Sequence, residues 1–355
     1  MDDITLMEDL SILANSEIPM KELRNKSILI TGSTGMIGSQ LVKTLLYFNE
    51  YKNTNMIIYA HARSEKKVKK VFGSLLNNSN LNIIYGDIQK PITLSDKLDY
   101  IIHGASITSS MDFVTNPVDT SRIAIDGSVN IFELARSKKV ESVVFLSSLE
   151  IYGVLNDKLG DIREDEYGYI QHLNVRSSYS ESKRMVECLC ASYAAQYNLP
   201  IKIARLSQTF GAGVDYDDSR VFAQFARSVI EGKDIILHTK GDTFRSYCYT
   251  RDAIKAIFYI LLSGKNAEAY NVSNMNTAIS IRDMAEMVSK QFSKSKIKVI
   301  YKIEEIEKHG YNPTVKAVLN TDKIEKLGWF PEVGLEEMFA RMISSMLENR
   351  GYNTV

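Results

Sequence analysis

The octapeptide Thr31-Gly32-Ser33-Thr34-Gly35-Met36-Ile37-Gly38 restricts the fold of this chain more than any other stretch. The run Ser27-Ile28-Leu29-Ile30, rich in β-branched residues, leads straight into it. Behind it Met36, Ile37, Leu41, Val42, Leu45 and Leu46 recur at helical spacing. Buried strand, glycine turn and helix in that order are the context of a dinucleotide-binding turn. Gly32 permits the tight turn, Gly35 lets backbone approach a pyrophosphate without a Cβ in the way, and Gly38 lets the helix pack closely on the strand. The free N–H groups at Met36, Ile37 and Gly38, with the positive end of the helix dipole, then face the anion.

The pattern continues along the chain. Strand-like apolar runs recur at Met56–Ala60, Asn82–Tyr85, Tyr100–His103, Ser142–Ser147 and Ile201–Leu206, and helical patterns at Ser39–Phe48, Arg122–Ser137 and Tyr179–Tyr197 separate most of them. This alternation predicts an α/β fold, a Rossmann-like doubly wound parallel sheet, with a smaller C-terminal substrate lobe. Residues 1–25 read as an N-terminal helical arm with Leu6, Leu10, Ile12 and Leu13 as packing candidates. Residues 26–206 read as the dinucleotide-binding domain. Residues 207–355 read mainly as the substrate lobe, with part of 240–275 returning to the first domain. In that lobe Val221–Glu231 and Ile281–Phe292 read as helices and Gly328-Trp329-Phe330-Pro331 as a turn.

Length and charge narrow the function classes. A chain of 355 residues buries a large core. Its 43 basic and 43 acidic residues cancel, which gives bulk charge no pull toward nucleic acid or an anionic membrane. Cys188, Cys190 and Cys248 form no CxxC and no disulfide framework, which suits a reducing compartment. No apolar run reaches the length of a membrane span, and the acidic start Met1-Asp2-Asp3 lacks a signal-peptide pattern, so the expectation is a cytoplasmic protein.

A second motif supplies chemistry. Tyr179 and Lys183, in Tyr179-Ser180-Glu181-Ser182-Lys183, stand four apart and project from one helix face. A free phenol with a pKa of ~10 is a poor base at neutral pH. A neighbouring ammonium and the cationic nicotinamide ring of an oxidised cofactor favour the phenolate. The phenolate can then take a proton from an alcohol while hydride leaves the same carbon. Ser148, at the end of the strand ending Phe145-Leu146-Ser147-Ser148, is placed to hydrogen-bond the reacting oxygen.

With these residues in view, the GxxGxxG spacing and the distant YxxxK resemble the extended short-chain dehydrogenases/reductases, the nucleotide-sugar epimerase/dehydratase family, over about residues 26–340. Within that family the stretch from Ser177 to about Asp252 resembles UDP-glucuronate decarboxylases. Ser178–Glu187 looks like their catalytic helix, Ala204–Gly211 like their strand and loop over the cofactor, Ser219–Phe225 like the start of their substrate-lobe helix, and Phe244–Asp252 like their return segment. The resemblance implies that Asp87 and Ile88 meet adenine and that backbone around Ala105 and Ser106 runs close to cofactor and substrate. It implies that Gln208, where the family usually has Asn, and Arg220 and Arg245 hold the sugar diphosphate or an acidic sugar. Decarboxylases and dehydratases resemble each other in carrying Glu at position 150; dehydratases add an Asp where this chain has Leu149. The family's arginine-bearing segment before the last helix is absent from Lys308-His309-Gly310-Tyr311-Asn312-Pro313-Thr314, where Lys308 or Lys316 would have to substitute.

The resemblance implies a tightly bound NAD regenerated at each turnover. The second strand bears on that choice. An acidic residue at its end would bind the adenosine ribose hydroxyls; this chain has Ala62 there and Arg63 next, which leans toward NADP. The implied reaction begins with oxidation of C4 of a nucleotide-linked sugar by Tyr179, Lys183 and Ser148. Decarboxylation, 4-epimerisation, 4,6-dehydration assisted by Glu150, NADPH-dependent reduction of a keto-sugar and a non-catalytic dinucleotide sensor remain open. Helices Arg122–Ser137 and Tyr179–Tyr197 carry apolar residues on more than one face (Ile123, Ile125, Ile131 and Leu134, then Met185, Val186, Leu189 and Tyr193), and by resemblance they would pair across a two-fold axis in a homodimer.

Overall fold

A computed structural model describes residues 3–155, 161–293, 297–303 and 316–350. In chain order the elements are α1 (Ile4–Ala14), β1 (Ser27–Thr31), α2 (Met36–Lys52), β2 (Ile57–Ala62), α3 (Glu65–Phe72), β3 (Leu81–Tyr85), β4 (Tyr100–His103), α4 (Ser110–Thr115), α5 (Pro117–Lys138), β5 (Ser142–Ser148), α6 (Ser178–Tyr197) and β6 (Ile201–Leu206). Then follow β7 (Gln208–Phe210), α7 (Val221–Glu231), β8 (Ile235–Leu237), β9 (Phe244–Tyr249), α8 (Thr250–Ser263), β10 (Ala269–Val272), β11 (Asn274–Ser280), α9 (Ile281–Gln291), β12 (Val299–Tyr301), β13 (Lys316–Ala317), α10 (Asp322–Glu325) and α11 (Leu335–Glu348).

Seven strands form one parallel sheet in the order β10-β6-β5-β4-β1-β2-β3. Every residue of β1 is buried, as a strand covered on both faces requires. One face packs Leu41, Val42 and Leu45 of α2 with Ile254, Ile257 and Phe258 of α8. The other packs Ile131 and Phe132 of α5 with Val186 and Cys190 of α6. The strand order reverses between β1 and β4, which opens a crevice at their carboxyl ends. The edge strand β10 comes from residues 269–272, long after the six strands before it.

A second core lies over that crevice. Phe222 and Phe225 of α7, Met284 and Val288 of α9, and Phe339 and Met342 of α11 surround Phe210 of β7 and Tyr249 of β9. The short strands β7, β9, β11 and β13 form its sheet. Trp329, in the expected turn, is fully buried and donates its indole N–H to the Asp252 carbonyl at 3.0 Å.

The N-terminal segment is docked on the body, with α1 packed against α2, α8 and α11. Leu6, Leu10 and Leu13 are buried as packing candidates should be. Ile12 is not: it is 41% exposed, because it lies on the solvent side of the same helix. Asp9 fastens the helix from inside. Its carboxylate accepts from Tyr249 Oη at 2.5 Å, Arg341 Nη2 at 2.9 Å and Arg251 Nη1 at 3.2 Å. Burial pushes the Asp9 carboxyl up, against the pull of Tyr249 and both arginines. Replacing Asp9 with Ala removes the buried acceptor shared by Tyr249, Arg251 and Arg341 and leaves the arginines only their partly exposed partners Glu332 and Glu8, so we expect stability to fall by ~3 kcal/mol in urea unfolding. A loss within error of zero would show the cluster to be dispensable.

Candidate active site

The glycine turn is sealed by backbone. Gly32 has φ +68°, and a Cβ there would lie 2.8 Å from the Gly104 carbonyl oxygen. A Cβ on Gly38 would lie 2.3 Å from the Gly32 carbonyl oxygen. Gly35 is the N-cap of α2 and offers no side-chain cap, which leaves the helix's first N–H groups to another acceptor. Thr31 Oγ1 closes the neighbouring strand end: it meets His103 Nδ1 at 2.7 Å and accepts from the N–H groups of Gly104 and Ala105, each at 3.2 Å. Burial and the Lys183 charge push the His103 imidazole down to about 3.

A cleft of about 1660 Å³ runs from this turn to the start of α6. Gly32, Gly35, Met36, Ile37, Gly38, Arg63, Ile88 and Ala105 line it, and so do Ser106, Ser148, Leu149, Glu150, Tyr179, Lys183, Gln208 and Arg220. Two expected residues do not. Asp87 is exposed beside the cleft and caps its own turn, accepting from the Gln89 N–H at 3.0 Å. Arg245 sits on β9 one strand from Gln208, whose register partner is Tyr247, and its Nε is buried with no partner among the described residues. Lys316 is exposed on β13 and does not line the cleft, and Lys308 lies outside the described residues.

Tyr179 and Lys183 are held by packing. Tyr179 is 8% exposed, and its ring stacks on Phe113 with centroids 4.4 Å apart and planes 10° apart. Lys183 Nζ donates to the Leu146 carbonyl at 2.7 Å and sits 5.7 Å from the centroid of the Tyr179 ring. Burial pushes the Lys183 ammonium down to about 8, opposed by the charge of Glu187. Burial and then the Glu150 charge push the Tyr179 phenol up, while the Ser148 hydrogen bond and the charges of Arg176 and Arg220 pull it back. Glu187 is itself fixed by Arg205, Nη2 to Oε2 at 2.7 Å, and by the Ser147 hydroxyl at 2.5 Å.

Glu150 has neighbours that the sequence did not reveal. Arg176 grips it with Nη1 at 2.9 Å and Nη2 at 3.0 Å, and Ser180 Oγ donates to it at 3.1 Å. The bidentate pair fixes both Glu150 oxygens as acceptors. Arg176 also stacks over Phe113, 4.8 Å from its centroid, so one guanidinium braces both the carboxylate and the ring under Tyr179. Arg176 and Phe113 were missed because their partners are remote in sequence; the one available signal was that Arg176 precedes the Tyr179 helix by less than a turn. Arg220 is held by Asp218, with Nε to Oδ1 at 3.0 Å. Among the described residues no cluster of His, Cys, Asp or Glu is built to hold a metal ion.

The site fits a dinucleotide on three observations: a turn with no room for a Cβ at Gly32 or Gly38, uncapped N–H groups at the start of α2, and an open cleft joining them to Tyr179. Comparison with known proteins agrees. The profile of the NAD dependent epimerase/dehydratase family matches residues 28–273. UDP-glucuronic acid decarboxylase 6 of Arabidopsis thaliana is 31% identical over 266 residues, 74% of this chain and 73% of that protein. UDP-glucuronic acid decarboxylase 3 of the same plant is 30% identical over 287 residues, 80% of this chain and 79% of its own length. Among solved structures, the UDP-glucuronic acid 4-epimerase of Bacillus cereus in complex with NAD superposes with a TM-score of 0.73 at 22% identity, covering 93% of this chain and 99% of that one.

Proposed function

This chain belongs to the NAD dependent epimerase/dehydratase family, and from that premise we propose that it decarboxylates a nucleotide-linked uronic acid, UDP-glucuronate in the first instance, through a 4-keto intermediate. The observation that carries the proposal is the meeting of Tyr179, Lys183, Ser148 and Glu150 in one cleft with the glycine turn. When bound, the dinucleotide supplies a reversible hydride acceptor for C4 of the sugar. Tyr179 takes the proton from the C4 hydroxyl as the carbonyl forms, and Ser148 orients that oxygen. Lys183 stabilises the phenolate through space. The 4-keto group stands β to the C6 carboxylate, so the C5–C6 bond breaks to release carbon dioxide, its electron pair passes to an enolate, and C5 then gains a proton; C4 finally regains its hydride while Tyr179 returns the proton to the carbonyl oxygen, which gives the pentose. Glu150, braced by Arg176 and Ser180, accepts hydrogen bonds from the sugar. Gln208 and Arg220 hold the diphosphate end, with Arg245 behind them.

Substrate carrying deuterium at C4 tests the internal cycle. Retention of the label in product without added reductant is expected. Loss of the label, with turnover only when NADPH is supplied, would point to a keto-sugar reductase.

Lys183→Met tests the charge argument. Without the ammonium the phenolate is harder to form, so the acidic limb of kcat/KM should move to higher pH by about one to two pH units. The variant should therefore lose most at neutral pH and recover in alkali. An equal loss at every pH would remove Lys183 from that role.

The same proposal includes a homodimer formed through α5 and α6, where Met185 stays 46% exposed in the single chain. Sedimentation at micromolar concentration tests it. The free thiols of Cys188, Cys190 and Cys248 support a reducing, cytoplasmic setting, and no helix among the described residues is long and apolar enough to cross a membrane.

A further inference from the structure

We propose that the end of β2 and the first turns of α3 form a subsite for the 2′-phosphate of a phosphorylated dinucleotide, so that this chain prefers NADP to NAD. The inference rests on the reading of the cleft as a dinucleotide site and adds to it which dinucleotide the site selects.

The geometry begins at the glycine turn. The Ser33 N–H and hydroxyl both donate to the His61 carbonyl, at 3.3 and 2.9 Å. These bonds pin the last turn of β2 beside the pyrophosphate site, where the adenosine ribose must fall. The residue that would read the ribose hydroxyls as a carboxylate is Ala62, whose side chain is buried and offers no acceptor. Arg63 follows and lines the cleft with Lys66 and Lys67 from α3. None of the three forms an ion pair with a described residue.

Three of the nearby carboxylates have partners. Lys69 holds Glu65 at 2.6 Å, Lys70 holds Asp215 at 2.9 Å, and Asp87 caps its own turn. Lys67 also acts on Asp215, and Asp217 lines the cleft, so Arg63 and Lys66 are the cations at this corner without a carboxylate partner among the described residues. A dianionic phosphate on the ribose supplies a counter-ion, and a guanidinium fork suits it.

His61 gives an independent sign that a ligand completes this corner. It is 2% exposed, it lines the cleft, and its Nε2 has no partner among the described residues. A buried polar atom left unpaired is costly, and one that borders a cleft is satisfied when the cleft fills. Burial pushes its imidazole down, with Asp87 and Arg63 pulling in opposite senses, so the neutral ring offers one donor and one acceptor nitrogen to an adenosine hydroxyl or phosphate oxygen.

The test is calorimetric binding of NADP⁺ and NAD⁺ to purified protein freed of nucleotide, in the wild type and in Arg63→Ala. NADP⁺ should bind at least about tenfold tighter than NAD⁺, and added salt should narrow the gap. Arg63→Ala should weaken NADP⁺ by about 10- to 100-fold and change NAD⁺ by less than about threefold. Ala62→Asp should reverse the preference. Equal or tighter binding of NAD⁺ by the wild type, or an equal loss of both ligands in Arg63→Ala, would overturn the subsite and leave the dinucleotide site standing. Binding of neither ligand would overturn the dinucleotide reading itself and this inference with it.

Discussion

Replacing Tyr179 with Phe is expected to lower kcat by about 10²- to 10⁴-fold, the range general acid–base groups contribute, while dinucleotide affinity stays within about twofold. The change removes one oxygen and leaves the ring. The stack on Phe113 and the packing around the start of α6 persist, so a loss of activity cannot be blamed on folding. What disappears is the acceptor for the alcohol proton, which neither neighbour replaces. Ser148 Oγ already accepts from the Glu150 N–H at 3.2 Å, and Glu150 is gripped by Arg176. Steady-state turnover beside calorimetric binding separates the two effects. A kcat within tenfold of wild type would mean that another group takes the proton.

The second large effect is expected from Gly38→Ala. Its new Cβ would sit 2.3 Å from the Gly32 carbonyl oxygen and 2.9 Å from Ser33 Cα, all backbone that no side-chain rotation can move. The turn must open or α2 must lift from β1, and either motion displaces the uncapped N–H groups at the start of α2, where we place the pyrophosphate. Dinucleotide affinity should fall by more than about a hundredfold, with a lower melting temperature, since the same helix packs on α1 and α8. Gly73→Ala is the control: nothing lies within 4 Å of a Cβ there, and although φ +47° adds backbone strain, dinucleotide binding should stay near wild type. Equal binding by the Gly38 variant and wild type would show that the turn does not hold the ligand.

The contrast between these glycines explains what the sequence made legible. Most of the first six strands of the sheet were readable because they are buried, β-branched runs, and burial on both faces leaves a continuous apolar signature; β3, at the edge and only partly buried, was read from its Ile83-Ile84 pair. The glycine spacing located the turn because only glycine tolerates the backbone contacts found there. The helix starts were placed late: α2 begins at Met36 and not Ser39, because Gly35 caps it without a side-chain signal. The edge strand β10 and the short strands β7 and β13 were not readable, since two to four residues carry no periodicity and their partners lie far away in sequence.

The site shows the same division. Tyr179, Lys183 and Ser148 follow from chemistry joined to local spacing. The bidentate grip of Arg176 on Glu150, the ring of Phe113 beneath Tyr179 and the unpaired Nε2 of His61 arise from tertiary packing. These hidden contacts also carry discriminating information. Arg176 fixes the Glu150 carboxylate as an acceptor, and the His61 Nε2, without a partner among the described residues, borders the cleft.

The most direct test of the proposed reaction is mass spectrometry of UDP-glucuronate incubated with the purified protein, without added reductant. The expected result is loss of carbon dioxide to give a UDP-pentose, abolished in Tyr179→Phe. An unchanged mass, with no new isomer on chromatography, would contradict decarboxylation of this substrate.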